Sequence, residues 1–374
     1  MRIVYKVLVA LLTTLSALLL IAASFSSMVG PSKYPILTVL GLGYEYLVFL
    51  NIGMIVLAAF KNKIFAILPL VALGFGFPKP VQIVQFNTPA IIEENKEENV
   101  ISLTSYNVQL FNKTLFVSDF NLRDSIEAFL IRQNSDLYVI QEFYHNDKKP
   151  SANNFERIPQ KLNTPYIYFE HDKGRDETPS LFFGSVILSK YPIKESGVVV
   201  TYKGGKAQAI YADIAHPSGT IRIYNIHLQS LGFDDSEYDF LRRAHKIEIE
   251  RAFETNQGIV DKIVSAAQVR TSQVIAIEDH MRGCEYPIIL AGDFNETPFS
   301  FNTTAVRKYM QDGFIHKGKG LGNTFEGIGF VPPLRIDYIL SSQSLRFLDF
   351  KTHPINFSDH RPVTAKLLNT ERSI

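Results

Sequence analysis

The chain has 374 residues, enough for one large domain or two ordinary ones, and its apolar and charged fractions are those of a globular protein. Residues 1–99 carry seven Lys or Arg and five Asp or Glu, which leaves 31 bases and 32 acids for residues 100–374. Proteins that grip long nucleic acids non-specifically usually carry a net basic face, and the composition shows no such excess. The single cysteine, Cys284, excludes an intrachain disulfide, and we assign it no role.

The N-terminal part of the chain is almost entirely apolar. Residues 3–23 contain only Lys6 as a charge, which matches the roughly 20 apolar residues that a helix needs to cross a bilayer. A second apolar run covers residues 36–60, and a third, shorter one covers 64–77. A cleaved signal peptide would also suit the first run, but the two later runs favour a membrane segment. We therefore predict a transmembrane segment over residues 1–80, with three helices.

The basic residues around these runs predict an orientation. Lys33 lies alone in the loop between the first two runs, whereas four bases lie before the first run or between the second and third: Arg2, Lys6, Lys61 and Lys63. Loops rich in Lys and Arg usually stay in the cytoplasm. With three helices, the sequence predicts a multi-pass protein of a bacterial inner membrane whose remaining residues face the periplasm.

Two polar residues interrupt the second run. Glu45 and Asn51 are costly in hydrocarbon, and such residues often serve a function. We favour hydrogen bonding inside a small helical bundle, or a protonated Glu45, over a role in transport or sensing. After this segment, residues 81–98 are rich in Glu and Asn and are interpreted as a polar linker.

From residue 99 onward, short apolar runs alternate with helical patterns, which indicates a layered α/β or α+β domain over residues 99–374. One predicted helix has Leu122, Ile126, Phe129 and Leu130 on one face and starts at Ser118 or Asp119. A long helical segment covers 259–277, and the charged stretch 234–254 before it is interpreted as a solvated loop and helix face. Strands are predicted at 101–106, 137–140, 185–188, 198–202, 209–215, 221–226 and 287–291.

Polar residues stand where these strands end. In chain order they are Asn107, Glu142, His227, Asp293, Asn295, Asp337, Asp359 and His360. Singly, each has an ordinary explanation: His227 could be a core residue, and Asp337 could pair with Arg335. Together they offer carboxylate and amide oxygens without Cys or clustered His, a set that suits Mg²⁺ or Mn²⁺. An imidazole beside a carboxylate can also transfer protons, so the set predicts metal-assisted phosphoester hydrolysis.

Seven short motifs carry a specific resemblance. They are SYNV at 105–108, IQE at 140–142, GSVILSKYPI at 184–193, NIHL at 225–228, GDFN at 292–295, RIDYI at 335–339 and SDHRP at 358–362. In this order they resemble the endonuclease/exonuclease/phosphatase superfamily, which holds DNase I-like nucleases, exonuclease III-like repair enzymes, inositol polyphosphate 5-phosphatases and neutral sphingomyelinases. The resemblance covers about residues 99–370 and not the apolar segment.

The resemblance implies a fold and a metal site. The fold would be a four-layered α/β sandwich in which two mixed sheets pack face to face between outer helices. Glu142 would be the principal ligand of Mg²⁺, with Mn²⁺ as a substitute, Asn107 beside it and Asp359 completing the site.

The resemblance also implies catalytic roles. Asp293 would orient or deprotonate the attacking water, and Asn295 would hold a phosphoryl oxygen. His227 and His360 would donate to the phosphate, with Asp337 orienting His360. Alternatively, His360 would be the general base, and the sequence leaves this choice open.

Two departures bear on the substrate. Gln109 stands where exonuclease III-like enzymes carry an acid, and a chain without Trp lacks their tryptophan-rich loops, so abasic-site repair is not expected. The sequence predicts a membrane-tethered, Mg²⁺-dependent phosphoesterase, either a nuclease or an enzyme for lipid or small phosphoesters. A non-catalytic binding domain on the same fold is the alternative of another class, and no protein partner is inferred.

Overall fold

The computed structural model describes residues 2–61, 63–90, 98–112, 120–148, 152–171, 181–201, 207–232, 249–327 and 333–370. We call residues 2–82 the helical unit. Its four α-helices are α1 (Arg2–Ser24), α2 (Pro35–Leu42), α3 (Tyr44–Lys61) and α4 (Ile67–Phe75), joined by 3₁₀ turns at Lys63–Ala66 and Lys79–Gln82.

The helices of this unit run up, down and up, so that the end of α1, the start of α3 and the end of α4 meet at one level. A Cβ on Gly76 would lie 2.6 Å from the Tyr44 hydroxyl and 3.1 Å from Ser24 Oγ, so a larger residue there would have to displace these side chains. By length and composition, α1 alone among the described helices can cross a membrane. Helices α2 and α3 are bent by 66° relative to each other and would form a second span only if taken together. The third predicted helix appears as a shorter apolar helix, Lys63–Phe75.

The two polar residues of the second apolar run have different environments. Asn51 Nδ2 donates to the Ser16 carbonyl at 3.0 Å, and Ser16 Oγ donates to Asn51 Oδ1 at 3.4 Å. This is the hydrogen bonding between helices that the sequence favoured. Glu45 lies at the start of α3, and its carboxylate acts electrostatically on Arg335 of the C-terminal domain.

The C-terminal domain contains two six-stranded sheets. The strands of the first are β2 (Val100–Asn107), β3 (Leu137–Asn146), β4 (Tyr166–His171), β5 (Leu181–Ser189), β13 (Leu345–Thr352) and β14 (Val363–Asn369), in the order β13-β14-β2-β3-β5-β4. Those of the second are β6 (Ile193–Thr201), β7 (Ala207–His216), β8 (Gly219–His227), β9 (Ile288–Asp293), β10 (Gln311–Asp312) and β12 (Asp337–Ser341), in the order β10-β12-β9-β8-β7-β6. Each sheet has one parallel pair, β2 with β3 and β8 with β9, so both are mixed.

Helices cover the outer faces of both sheets. They are α5 (Phe120–Gln133), α6 (Asn154–Leu162), α7 (Ile249–Arg282) and α8 (Phe301–Arg307). The short α9 (Gly313–Lys317) instead packs Phe314 into the core between the sheets. Between the sheets, Val139 and Ile187 of the first pack with Ile210 and Ile289 of the second in one fully buried core. Separate cores lie beneath α5 with α6 and beneath α7 with α8. The predicted four-layered sandwich of two mixed sheets is confirmed.

Several predicted boundaries differ from the structure. Helix α7 is longer than the predicted 259–277, and β6 begins five residues before the predicted strand 198–202. The capping residues Ser118 and Asp119 and most of the stretch 234–254 lie outside the described residues. Buried apolar residues mark an element's middle well, whereas its ends depend on hydrogen bonds to neighbouring elements.

Glu142 was predicted at the end of a strand, and this was wrong. Strand β3 continues to Asn146, and its pairing with β5 shifts between Ile140 and Phe143. Glu142 lies in this β-bulge with a positive φ of 51°. The antiparallel partner β5 extends the strand beyond the polar residues, and the bulge turns the Glu142 side chain out of the regular alternation.

Part of the predicted linker is bound to the C-terminal domain. Strand β1 (Gln85–Phe86) pairs with β11 (Lys319–Gly320). The Ala90 amide donates to the Leu348 carbonyl at 2.8 Å, and Asn87 Nδ2 donates to the Ile315 carbonyl at 2.9 Å. Residues 91–97 lie outside the described residues.

Candidate active site

Three neighbouring strands of the second sheet bring polar residues to one edge. β8 ends at His227 and β9 ends at Asp293, and these two residues are paired in the parallel register. β12 begins at Asp337, which is paired with Asp293 in the antiparallel register. From the first sheet, Asn107 at the end of β2 reaches across, and its Nδ2 donates to Asp293 Oδ2 at 3.1 Å. The predicted residues of both sheets therefore meet at one site.

Asp293 is the centre of this site and is only 1% exposed. Its Oδ1 accepts a hydrogen bond of 2.8 Å from the Asn295 amide. Its Oδ2 lies 3.6 Å from His360 Nε2 and 3.9 Å from His227 Nε2. Gly292 before it has a φ of 136°, and a Cβ there would lie 2.0 Å from the Ile226 carbonyl oxygen. Glycine at position 292 is thus required by the close approach of β8 to β9.

A hydrogen-bonded pair of His360 and Asp337 lies beside Asp293. His360 Nδ1 is 2.9 Å from Asp337 Oδ2, which directs Nε2 toward Asp293. Burial alone would lower the pKa of His360, but the carboxylates of Asp337 and Asp293 raise it well above its usual value. The Thr324 hydroxyl accepts hydrogen bonds from the Ile336 and Asp337 amides, both at 3.0 Å. Thr324 was not predicted as a site residue.

Ligand atoms of Asp293, Asp337 and His360 lie within 4.8 Å of one another. This is the closest grouping of carboxylate and imidazole atoms in the described chain, but it differs from the predicted ligands. The facing atoms of Asp337 and His360 are already joined by a hydrogen bond, so the three residues suit proton transfer better than metal binding.

The predicted ligands Glu142, Asp359 and Asn107 lie around the same edge. The Glu142 side chain is 35% exposed, and its Oε1 is 3.9 Å from His227 Nε2. Burial raises the pKa of Asp359, and the negative charge of Glu142 raises it further, although His360 acts in the opposite direction. Asn107 Oδ1 accepts from the Gln109 amide at 3.1 Å, at a left-handed turn, Gln109–Asn112.

This donor set fits a divalent metal ion. Four carboxylates converge on the site, and their only ion-pair partners among the described residues are two histidines. A carboxylate whose pKa is raised by burial and by another acid is stabilised by a nearby cation. Oxygen atoms of carboxylates and an amide are the ligands that Mg²⁺ and Mn²⁺ prefer.

Other contacts hold the surrounding loops. Asn295 has a φ of 51°, and its Nδ2 donates to the Leu228 carbonyl at 3.1 Å, which joins the loop after β9 to the loop after β8. One amide hydrogen of Asn295 remains for another acceptor. Ser358 Oγ donates to the Asn107 carbonyl at 2.8 Å and fixes the SDHRP motif to the end of β2.

A buried amide pair joins the two sheets next to the site. Gln141 Nε2 donates to Asn225 Oδ1 at 2.8 Å, and Asn225 Nδ2 is 2.9 Å from the carbonyls of both Ile140 and Val186. Sequence reasoning did not assign either residue a role. The available sequence signal was an amide residue next to or within an apolar run, but the strand predicted at 137–140 ended before Gln141.

Comparison with known families agrees with this geometry. The model of the Endonuclease/Exonuclease/phosphatase family matches residues 104–360. The chain belongs to this family. A model of a domain of unknown function (DUF8431) matches residues 6–82, which is nearly the whole helical unit. No curated protein matches the chain.

Solved structures of family members share the fold. An endonuclease/exonuclease/phosphatase from Beutenbergia cavernae is 16% identical with a TM-score of 0.53 and covers 72% of each chain. One from Bacteroides vulgatus is 16% identical with a TM-score of 0.51, covering 72% of this chain and 98% of its own. A family protein from Leptotrichia buccalis is 14% identical with a TM-score of 0.50, covering 71% and 99%. The predicted family and fold are thereby confirmed.

In this family member, the bend between α2 and α3, which we call the elbow (residues 35–46), contacts the loop that follows β9 and helix α7. Thr297 lies two residues after Asn295, and its Oγ1 donates to the Gly41 carbonyl at 3.4 Å. Val39 and Leu42 of α2 pack against Ile259 and Ile263 of α7, as does Leu231 from the loop after β8. The elbow was not predicted, because no local pattern shows which domain surface a helix will contact.

Phe299 is the residue of the catalytic-site loops that enters the core of the helical unit. It is 2% exposed and belongs to the core of the helical unit, with its ring 4.6 Å from the Tyr44 ring. Ser26 Oγ donates to its carbonyl at 3.0 Å. At the other side of the elbow, the Tyr46 hydroxyl donates to the Pro333 carbonyl at 2.5 Å. The helical unit therefore packs against segments adjoining both β9 and β12.

Proposed function

We propose that the chain is a metal-dependent phosphoric ester hydrolase that its helical unit holds at a membrane. The observation that carries the proposal is the meeting of two sheets around Asp293, where Asn107 from the first sheet bonds directly to the carboxylate of the second. An isolated acid can serve stability, but four acids around one edge oppose each other and favour a cation or a reacting group.

Glu142 and Asp359, with Asn107, would hold the metal ion, for which Mg²⁺ is the choice and Mn²⁺ a substitute. When bound, the ion neutralises charge on the phosphoryl oxygens and on the leaving group. Glu142 stands ready for this role because the bulge exposes its carboxylate and leaves His227 as its only ion-pair partner among the described residues.

Asp293 would accept the proton of the attacking water. Its carboxylate is held by the Asn295 amide and by Asn107, so its position is defined before substrate binds. His360, held through Nδ1 by Asp337, would present Nε2 to the phosphoryl group, and His227 would do so from the other side. Asn295 would use its remaining amide hydrogen on a phosphoryl oxygen.

The helical unit would cross the inner membrane of a bacterium and leave the catalytic domain in the periplasm. Helix α1 has the length and composition for a span, and its outward leucines are exposed, for example Leu11 at 63% and Leu15 at 56%. Lys and Arg are concentrated at the end of the unit that would face the cytoplasm. A reporter fused after Asn369 should be active in the periplasm, and activity in the cytoplasm would contradict this topology.

The substrate would be a phosphoester presented at the bilayer surface. The elbow contacts the loop after β9 and packs on Ile259 and Ile263 of α7, so the catalytic edge lies next to the segment that would enter the membrane. The formal charge of −1 over residues 100–374 also suits a single headgroup better than a long nucleic acid. Nuclease activity is the competing outcome.

The test uses the full chain in detergent micelles. Hydrolysis of bis(p-nitrophenyl) phosphate should require Mg²⁺, stop with a chelator, and fall by about 10²- to 10⁴-fold in Asp293→Ala. Asp349→Ala, at a partly exposed position on β13, is the matched control and should keep its rate. No metal-dependent hydrolysis, or an unchanged rate in Asp293→Ala, would favour a non-catalytic binding domain.

A second experiment identifies the substrate class. The same preparation is assayed against sphingomyelin in mixed micelles, inositol phosphates, plasmid DNA and RNA. We expect the largest kcat/KM for the lipid. Faster cleavage of plasmid DNA would replace the lipid proposal by a nuclease and leave the hydrolase proposal intact.

A further inference from the structure

A groove of about 480 Å³ lies where the helical unit meets the catalytic domain. Its walls come from the ends of α1 and α4 on one side and from α8 with the loop before it on the other. They include Ser27, Pro78, Lys79, Phe299, Arg307 and Lys308. None of the eight residues assigned to the active site lines it.

The groove is basic. Three bases and no acid line it. Arg307 is fully engaged, since it donates to the Pro298 carbonyl and to Gln82 Oε1 at 2.9 Å each and pairs with Asp312 at 3.2 Å. It therefore forms a fixed wall, and the charge available to a ligand comes from the two lysines.

The two lysines differ in burial. Lys79 is half-buried, with its ammonium donating to the Ser24 carbonyl, and burial lowers its pKa. Lys308 is exposed, with its ammonium 5.3 Å from the centre of the Tyr309 ring. Glu278 acts electrostatically with Lys308 but does not line the groove. A partly desolvated ammonium binds an anion more strongly than one surrounded by water.

An apolar surface continues from the groove along the helical unit. Phe75, Phe77 and Val81 are 54%, 69% and 58% exposed, and they adjoin Pro78 and Lys79 in the chain. Met28, next to Ser27, is 70% exposed. A basic pocket that opens onto exposed apolar side chains suits a ligand with an anionic head and an apolar tail.

The position of the groove along the helical unit also favours a ligand with an anionic head and an apolar tail. The end of α1 at Ser24 and the residues after α4 stand at the end of the helical unit that meets the catalytic domain. If α1 spans the bilayer, this end lies at the headgroup layer, where Lys side chains and the Tyr309 ring are favoured.

We propose that the groove binds the phosphate headgroup of an anionic phospholipid, with Lys79 and Lys308 at the phosphate and the acyl chains along Phe77 and Val81. The proposal rests on the membrane tether proposed above and not on the hydrolase chemistry. Such a lipid would bridge the two parts of the chain and set the height of the catalytic edge above the bilayer.

The experiment measures lipid binding to the full chain in detergent by native mass spectrometry. Short-chain phosphatidylglycerol should bind with higher affinity than phosphatidylcholine of the same chain length. Lys79→Gln and Lys308→Gln should each weaken phosphatidylglycerol binding by about fivefold, and the double variant by more. Lys366→Gln, an exposed lysine on β14, should bind as the unaltered chain does.

Further arms separate the possible ligands and the two proposals. Glycerol phosphate and inorganic phosphate, which lack acyl chains, should compete poorly. Lys308→Arg should retain binding, and because Lys308 is exposed, its variants test the site even if Lys79→Gln does not fold. Hydrolysis of bis(p-nitrophenyl) phosphate in the same samples should be unchanged. A loss of hydrolysis would therefore bear on the hydrolase proposal and not on the lipid site.

Three outcomes would overturn the lipid site. They are equal binding of phosphatidylcholine, undiminished phosphatidylglycerol binding by the double variant, and competition by inorganic phosphate as strong as that by the lipid.

Discussion

The helical unit and the catalytic domain arrange their apolar residues in opposite ways. In the catalytic domain, large side chains such as Ile210 and Ile289 are fully buried between the sheets. In the helical unit, small residues such as Ala17 and Ala72 are fully buried, while Leu11 and Phe60 are 63% and 82% exposed. Small residues inside and large apolar residues outside are typical of helices that pack in lipid. The difference supports the membrane location that we propose for the helical unit.

The boundary between the two regions follows neither arrangement. It is formed by aromatic packing of Phe299 with Tyr44, by hydrogen bonds from Ser26 and Tyr46 to backbone carbonyls, and by the charges of Glu45 and Arg335. These contacts adjoin the strands that carry Asp293 and Asp337. The helical unit is thus a neighbour of the proposed catalytic residues as well as the proposed membrane tether.

Glu142→Gln should have the largest effect and should affect only the catalytic region. Removing the charge of the proposed principal ligand should lower kcat/KM by about 10³-fold, since a bound metal ion would supply several kcal/mol to the transition state. The Mg²⁺ concentration needed for half-maximal rate should rise in a titration. An unchanged Mg²⁺ requirement would show that Glu142 does not bind the metal.

Asp337→Asn should reduce the rate by about 10²-fold, because His360 loses the carboxylate that orients Nε2. The measurement is kcat at saturating Mg²⁺, with the Mg²⁺ requirement unchanged. A raised Mg²⁺ requirement would instead assign Asp337 to the metal site, in line with its position near Asp293.

Phe299→Ala tests the boundary. Truncation of a buried phenylalanine costs about 3–5 kcal/mol, so the temperature of half-inactivation in detergent should fall. Phe301→Ala, at a partly buried position two residues along the chain, is the control and should have a smaller effect. Equal stability of Phe299→Ala and the unaltered chain would mean that the two regions do not stabilise each other.

Asn51→Ala should have the smallest effect and should affect only the helical unit. The substitution removes the hydrogen bonds to Ser16. Hydrogen bonds between membrane helices contribute about 0.6 kcal/mol on average. Unfolding of the helices in detergent should shift slightly, and hydrolysis should not change. A large loss of hydrolysis would show that the interior of the helical unit is coupled to the active site.

The sequence alone predicted the family, the fold and most features of the candidate site. Ordered short motifs predicted the family, the four-layered fold and eight polar residues that the structure brings to one edge. For Asn107, His227 and Asp293 this was possible because a strand end determines where its last side chains point, whereas Glu142 lies in a bulge inside β3. The GDFN motif illustrates the point, since the contact between two adjacent strands requires Gly292 and the strand end fixes the position of Asp293.

Only the tertiary structure decided the features that join distant segments. The bulge at Glu142 depends on pairing with β5, and the Gln141–Asn225 bond depends on the packing of two sheets. The burial of Phe299, the position of Glu45 near Arg335 and the basic groove depend on how the helical unit sits on the catalytic domain. Local patterns report the environment of a residue along its own element, whereas these contacts arise between elements far apart in the chain, and no periodicity encodes them.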